Sequence, residues 1–258
     1  MEQLRAFIHR RFGPHRHTAL LVAIISAFAI RPLLGDAGIG PALFSVAILV
    51  LLLVALYNIN VDELVGERET LLAQRRRRSI IGWVLAVPAI AERLAINFAP
   101  IHSLVLAGSI LWLLLLAFIT WNELRGVLKQ KEVTGETISM SISVYLLLGL
   151  TWGFFYIVLH DVQPQAFSFT GPSSPTVGAV AEQHVFPILI YFSLTTLATI
   201  GYGDILPVSL QARYAAVAEG ITGQFYLAIL VARLVGMQMS QSASRHVESK
   251  PHDSITDG

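Results

Sequence analysis

Six apolar stretches of membrane-crossing length dominate this chain: Thr18 to Leu34, Pro41 to Tyr57, Ile80 to Phe98, Ser103 to Trp121, Ile138 to Leu159 and about Leu210 to Gly236. A helix needs roughly 17 to 25 predominantly apolar residues to cross the hydrocarbon core, and inside lipid only helices and closed barrels satisfy every backbone polar group. The pattern predicts an all-α membrane protein with six transmembrane helices. Composition agrees, since the 258 residues are 54% hydrophobic and only 14% charged, where soluble chains carry about 25% charge. The third stretch is the least regular, being interrupted by Glu92, Arg93 and Asn97. The first follows a basic arm, as a signal peptide does, but no Ala-x-Ala-like site closes it and Arg31 and Pro32 end it, so it is read as an uncleaved span. The chain has no cysteine, which excludes disulfides, thiolate metal sites and thiol redox switching.

Orientation follows from the basic residues, which are retained on the cytoplasmic side of short loops. The arm carries Arg5, Arg10, Arg11 and Arg16, Val61 to Ser79 carries Arg68 and Arg75, Arg76, Arg77 and Arg78, and Asn122 to Thr137 carries Arg125, Lys129 and Lys131. Gly35 to Gly40 and Ala99 to His102 carry no lysine or arginine. Both termini are thus expected in the cytoplasm of a multi-pass plasma-membrane protein, with a polar, disordered tail over 240–258 and no soluble domain at either end. On the outer side lies one long connection, His160 to Ser209. Its first part, Asp161 to Gln183, is rich in Pro, Ser, Gly and Gln and reads as an irregular turret. Its second, Pro187 to Ala198, reads as a short helix with proline in its first turn. Twelve residues or so rise only about 18 Å, so this helix enters the membrane without crossing it.

After it comes Thr199-Ile200-Gly201-Tyr202-Gly203-Asp204. A cation such as potassium sheds its water only where oxygens replace it, and rings of backbone carbonyls from several subunits can do so. Carbonyls on an ordinary strand alternate in direction. Aiming them at one axis requires left-handed dihedrals at alternate residues, which glycine reaches without steric cost. Gly201 and Gly203 have that spacing. The Thr199 hydroxyl can supply an innermost ring, Ile200 and Tyr202 can pack outward, and Asp204 would place carboxylates at the outer mouth, where they concentrate cations. The short helix directs the negative end of its dipole to the same place. One chain supplies one strip, so a ring requires cyclic assembly.

The segment Tyr191-Phe192-Ser193-Leu194-Thr195-Thr196-Leu197-Ala198-Thr199-Ile200-Gly201-Tyr202-Gly203-Asp204-Ile205-Leu206-Pro207 resembles the pore signature of the potassium channel superfamily. The resemblance covers about Ile138 to Gly236 and is weaker over the first four spans, which are similar to the general layout of six-span channels. It implies a homotetramer around one pore lined by the last helix, with permeant potassium ions and no other cofactor. The expected organisation is an N-terminal arm over 1–17, a four-helix bundle over 18–121, a pore domain over 138–239 and the tail over 240–258. Ala198 stands where a threonine often precedes the filter threonine, and Tyr191 and Phe192 replace the usual tryptophan pair.

Gly223, twenty residues beyond Gly203, resembles the hinge glycine of pore-lining helices; close packing by Gly220 and Gly223 is the alternative. Glu219 is an ionisable group inside the bilayer and so a functional candidate, or else a brace bonded to Thr195 or Thr196. Arg31, Glu92 and Arg93 can neutralise one another as a structural cluster or line an aqueous crevice. Arg75, Arg76, Arg77 and Arg78 read as a positive-inside anchor at anionic headgroups, with a regulatory lipid site as the alternative and nucleic acid excluded as a partner. The eight histidines form no metal-protease pattern, and no nucleophile motif or phosphate loop supports an enzyme. A membrane transporter fits poorly, since pore-like transporters repeat the module; a less selective cation channel is the nearer rival. The fourth span contains no charged residue, so strong voltage gating is not expected.

Overall fold

Three helices carry enough length and apolar character to cross a membrane among the residues that the structure, a computed structural model, describes: 16–34, 40–61, 69–95, 102–130, 132–170 and 181–248. The elements are α1 (Arg16–Leu34), α2 (Gly40–Val61), α3 (Glu69–Ala95), α4 (His102–Lys129), α5 (Gly135–Val162), β1 (Phe167–Phe169), α6 (Ala181–Leu197), β2 (Ile205–Pro207) and α7 (Leu210–Glu248). The crossing segments are Val105–Lys129 of α4, Gly135–Val162 of α5 and Leu210–Ser242 of α7. The apolar parts of α1, α2 and α3, at His17–Ile30, Val46–Asn58 and Arg78–Ala91, are shorter.

Several helix ends differ from the sequence expectation for one reason: polarity marks the edge of the membrane, whereas a helix continues as long as its residues are good helix formers. Helix α3 begins at Glu69, so Arg75 to Arg78 lie on a helix and not in a loop. Helix α4 continues through Arg125 to Lys129, which leaves a much shorter connection to α5 than the linker expected over Asn122 to Thr137. The tail expected from Ser240 is helical to Glu248, and the residues after it lie outside those described. Helix α6 starts at Ala181, placing Pro187 inside it and not at its first turn; the ring matches helical φ, and the missing N–H costs one backbone bond. The basic arm up to residue 15, the turret over 171–180 and the side chains of Arg31, Arg75, Arg76, Arg77, Glu92 and Arg93 lie outside the described residues.

Packing runs sideways from the first four helices to the last three. Helix α1 contacts α2 and α5, α3 contacts α2 and α4, α4 lies on α5, and α6 rests between α5 and α7. Leu20, Ile24, Leu51, Leu52, Ala86, Leu115, Ile119 and Leu147 are buried in one continuous core. Within lipid, apolar packing of this kind is helped by hydrogen bonds across helices, and Thr120 and Thr151 make one at 3.0 Å between α4 and α5. The start of α1 is tied to the start of α5, where Glu136 accepts from the His17 N–H at 3.1 Å and the Thr18 hydroxyl at 2.8 Å. His17 also lies 3.4 Å from Glu123 on α4. Helix α5 opens with a reciprocal cap, the Thr134 hydroxyl accepting from the Thr137 N–H at 3.2 Å and the Thr137 hydroxyl accepting from the Thr134 N–H.

Candidate ion-conducting site

The apolar part of helix α6 is confined to Val185–Leu197, which rises only about 20 Å, short of a hydrocarbon core of about 30 Å. It lies in a groove on α5 cut by glycine. A Cβ at Gly153 would fall 3.2 Å from the Ile190 Cα, so glycine lets the two helices approach without displacing Ile190. At its C-terminus the free carbonyls that every helix end leaves are used to hold the next segment. The Leu194 carbonyl accepts from Ala198 N–H at 3.0 Å, that of Thr196 from Thr199 at 3.0 Å, and that of Thr195 from Ile200 at 2.8 Å and Gly201 at 3.3 Å. The Leu197 carbonyl takes the Tyr145 hydroxyl from α5 at 3.3 Å.

Beyond this anchor the backbone alternates. Thr199, Gly201 and Gly203 have φ of 57°, 55° and 79°, all in the left-handed region that side chains disfavour. Thr199 adopts it despite being β-branched. Ile200 and Tyr202 occupy the intervening positions, and the Tyr202 ring stacks on Tyr191 of α6 at 6.3 Å and 2° between planes. The Asp204 carboxylate, expected at the outer mouth, accepts from the Ile205 N–H through Oδ1 at 3.1 Å.

A two-stranded ribbon unseen in the sequence fastens the exit. Strands β1 and β2 pair antiparallel with Ser168 opposite Leu206, and Thr170 donates to the Asp204 carbonyl from both its N–H, at 2.8 Å, and its hydroxyl, at 2.7 Å. Phe167 of the ribbon, Phe192 of α6 and Tyr156 of α5 form an edge-to-face triangle with centroids 5.1 to 5.5 Å apart. Phe192 therefore has aromatic bracing of its own, while Tyr191 turns to the strip.

Glu219 is fully buried, and its partners are Tyr156 at 2.7 Å and Ser193. Neither Thr195 nor Thr196 reaches it; the Thr195 hydroxyl donates within its own helix to Phe192. Gly223 meets the last residue of α6 so closely that a Cβ there would lie 2.5 Å from the Leu197 carbonyl oxygen. Close packing, the alternative to a hinge, is what this contact requires of it. Farther along α7 the Arg233 guanidinium donates to the carbonyls of Val127, Leu128 and Gln130 at 2.6 to 2.7 Å, gripping the end of α4. Tyr156, Ser193 and Arg233 escaped sequence reasoning because nothing local marks a tyrosine, a serine or an arginine as the partner of a distant group.

A short helix thus lies between α5 and α7, two helices long and apolar enough to cross a membrane, with a left-handed strip at its end. Residues 144–239 match the family described as ion channel, and that segment holds α5 from Val144, the strip and most of α7. Comparison with curated proteins and with solved structures gave no match.

Proposed function

We propose that the protein is the subunit of a tetrameric, potassium-selective channel that conducts passively and is not an enzyme. The observation that carries the reading is the left-handed alternation at Thr199, Gly201 and Gly203, anchored by the Thr195 carbonyl. That alternation turns successive carbonyls to one side, which is the arrangement an ion needs when it exchanges water for protein oxygen. Thr199, Ile200, Gly201, Tyr202 and Gly203 form the filter in this reading, with Asp204 at its outer end. Four copies supply the ring. The large apolar side chains that α7 leaves exposed on the isolated subunit, among them Tyr214, Val217, Ile221 and Phe225, suit burial against neighbours and the pore.

The six apolar stretches then form six spans with both termini in the cytoplasm of a plasma-membrane protein, and Arg75 to Arg78 sit at anionic headgroups, each worth about 1 kcal/mol. Purified protein in liposomes, with potassium on one side and sodium on the other, tests the reading. The reversal potential should follow the potassium gradient; equal permeability would assign a less selective cation pore.

A further inference from the structure

Three oxygen contacts meet around Glu219, and they need one more proton than the two hydroxyls supply. The Tyr156 hydroxyl lies 2.7 Å from Glu219 Oε2, the Ser193 hydroxyl contacts Glu219 Oε1, and the same Ser193 oxygen lies 2.7 Å from the Gly149 carbonyl oxygen. A carbonyl only accepts, and each hydroxyl has one proton. Tyr156 uses its proton on Oε2. Ser193 has one proton for two contacts. Given to Glu219, it leaves the Ser193 and Gly149 oxygens facing each other at 2.7 Å with no hydrogen between them, which is lone pair against lone pair. Given to Gly149, it leaves the Ser193 to Glu219 contact to be bridged by a proton that only the carboxyl can carry.

We infer that Glu219 is held as the neutral carboxylic acid, donating to Ser193, and that the chain Tyr156 to Glu219 to Ser193 to Gly149 positions the pore helix behind the filter. Its surroundings agree. Glu219 is fully buried, its hydrogen bonds are those to Tyr156 and Ser193, and the titratable groups facing it among the described residues are Tyr156 and Tyr145 of α5. No basic side chain of the described residues pairs with it, and an ionised carboxylate buried without a counter-charge is costly. The relay joins α5, α6 and α7 at one point. Ser193 stands two residues before Thr195, whose carbonyl holds the Ile200 and Gly201 amides, so the acid acts on the strip through one turn of helix. It is a positioning residue and touches no ion.

The protonation state stands on geometry alone, whereas its effect on conduction rests on the proposed function, and the test separates the two. Infrared difference spectra of the full-length protein in liposomes at neutral pH, wild type minus Glu219→Gln, should contain a carboxylic-acid C=O band that moves in Ser193→Ala. Carboxylate bands in its place would overturn the inference. Glu219→Gln keeps a donor for Ser193 and an acceptor for Tyr156, so its potassium flux should match wild type. Glu219→Leu keeps the bulk and neither bond, and its flux should fall at least about tenfold in protein that elutes at the wild-type size. Loss of flux in a normally assembled Glu219→Gln, or wild-type flux in Glu219→Leu, would overturn the positioning role. Should Glu219→Leu fail to assemble, Tyr156→Phe removes a single oxygen and carries the same arm, with unchanged flux counting against the relay. If wild type itself does not prefer potassium, the proposed function falls and the infrared band still decides the acid.

Discussion

Gly201 and Gly223 are required for unlike reasons, and the difference can be measured. At Gly201, φ is +55° and a Cβ would meet nothing within 4 Å among the described residues of the subunit, so alanine is opposed by conformation alone, at about 1 to 2 kcal/mol per residue. At Gly223 space is the constraint, with the Leu197 carbonyl oxygen 2.5 Å and the Leu197 Cδ1 2.9 Å from a Cβ. Backbone cannot swing aside as a flexible side chain can, and overpacking of this kind costs typically about 1 to 3 kcal/mol. Gly201→Ala should therefore degrade ion preference in a protein that still assembles, while Gly223→Ala should lower the melting temperature of the assembled protein. A Gly223→Ala variant with wild-type melting and reduced open probability would assign Gly223 to a hinge. The strip itself was legible in the sequence because its residues are contiguous and its chemistry demands glycine at alternate positions. The brace was not, because Ser193 and Tyr156 lie 26 and 63 residues from Glu219 in the chain, and no periodicity links them.

At the scale of elements, the junction between α4, α5 and α7 depends on satisfying helix ends. The last carbonyls of α4 have no partner within their own helix, and the negative end of its dipole favours a cation. Arg233 supplies one, with three bonds of 2.6 to 2.7 Å to Val127, Leu128 and Gln130. Beside it Val127, Met140 and Val144 are buried together, with Tyr226 and Leu230 of α7 against them. Arg233→Gln should lower the melting temperature, by an amount corresponding to about 1 to 3 kcal/mol, and leave ion preference untouched, since the strip of Thr199 to Gly203 lies before the opposite end of α7. Arg233→Lys should not fully restore it, because an ammonium lacks the planar fork that reaches several carbonyls at once. Melting identical to wild type in Arg233→Gln would mean that water serves those carbonyls equally well. Element types were legible from apolar run length, since lipid enforces helices. Element ends were less so, as α3 and α4 show by carrying charged residues inside helical turns. The ribbon was illegible for a simpler reason: Phe167–Phe169 and Ile205–Pro207 are 3 residues each, too short for a period of two to register.

For the molecule as a whole, the first four helices pack beside α5, and the chemistry of α4 opposes a voltage-sensing role. Moving one charge through 100 mV yields only about 2.3 kcal/mol, so a sensor needs several basic residues within the field. Ser103 to Trp121 has none. The basic residues at the end of α4 are engaged locally: Arg125 lies over the Trp121 ring at 4.6 Å, and Lys129 is in the last turn. Helix α4 is also fastened along one face, with Leu115 and Ile119 in the common core, and at its end, in the grip of Arg233. An element packed and capped in this way has little freedom to translate against α5. What voltage dependence remains should come from ions moving within the strip. The conductance-voltage relation of the reconstituted protein should therefore be shallow, equivalent to about one elementary charge or fewer per channel. A steep relation would require charges elsewhere in the field, and the two arginines within the first and third apolar stretches, Arg31 and Arg93, are the ones to neutralise. Flattening of the curve in Arg31→Gln or Arg93→Gln would move the sensor to those helices, whereas an unchanged shallow curve in both would leave the four-helix bundle as a scaffold that holds the pore from its side.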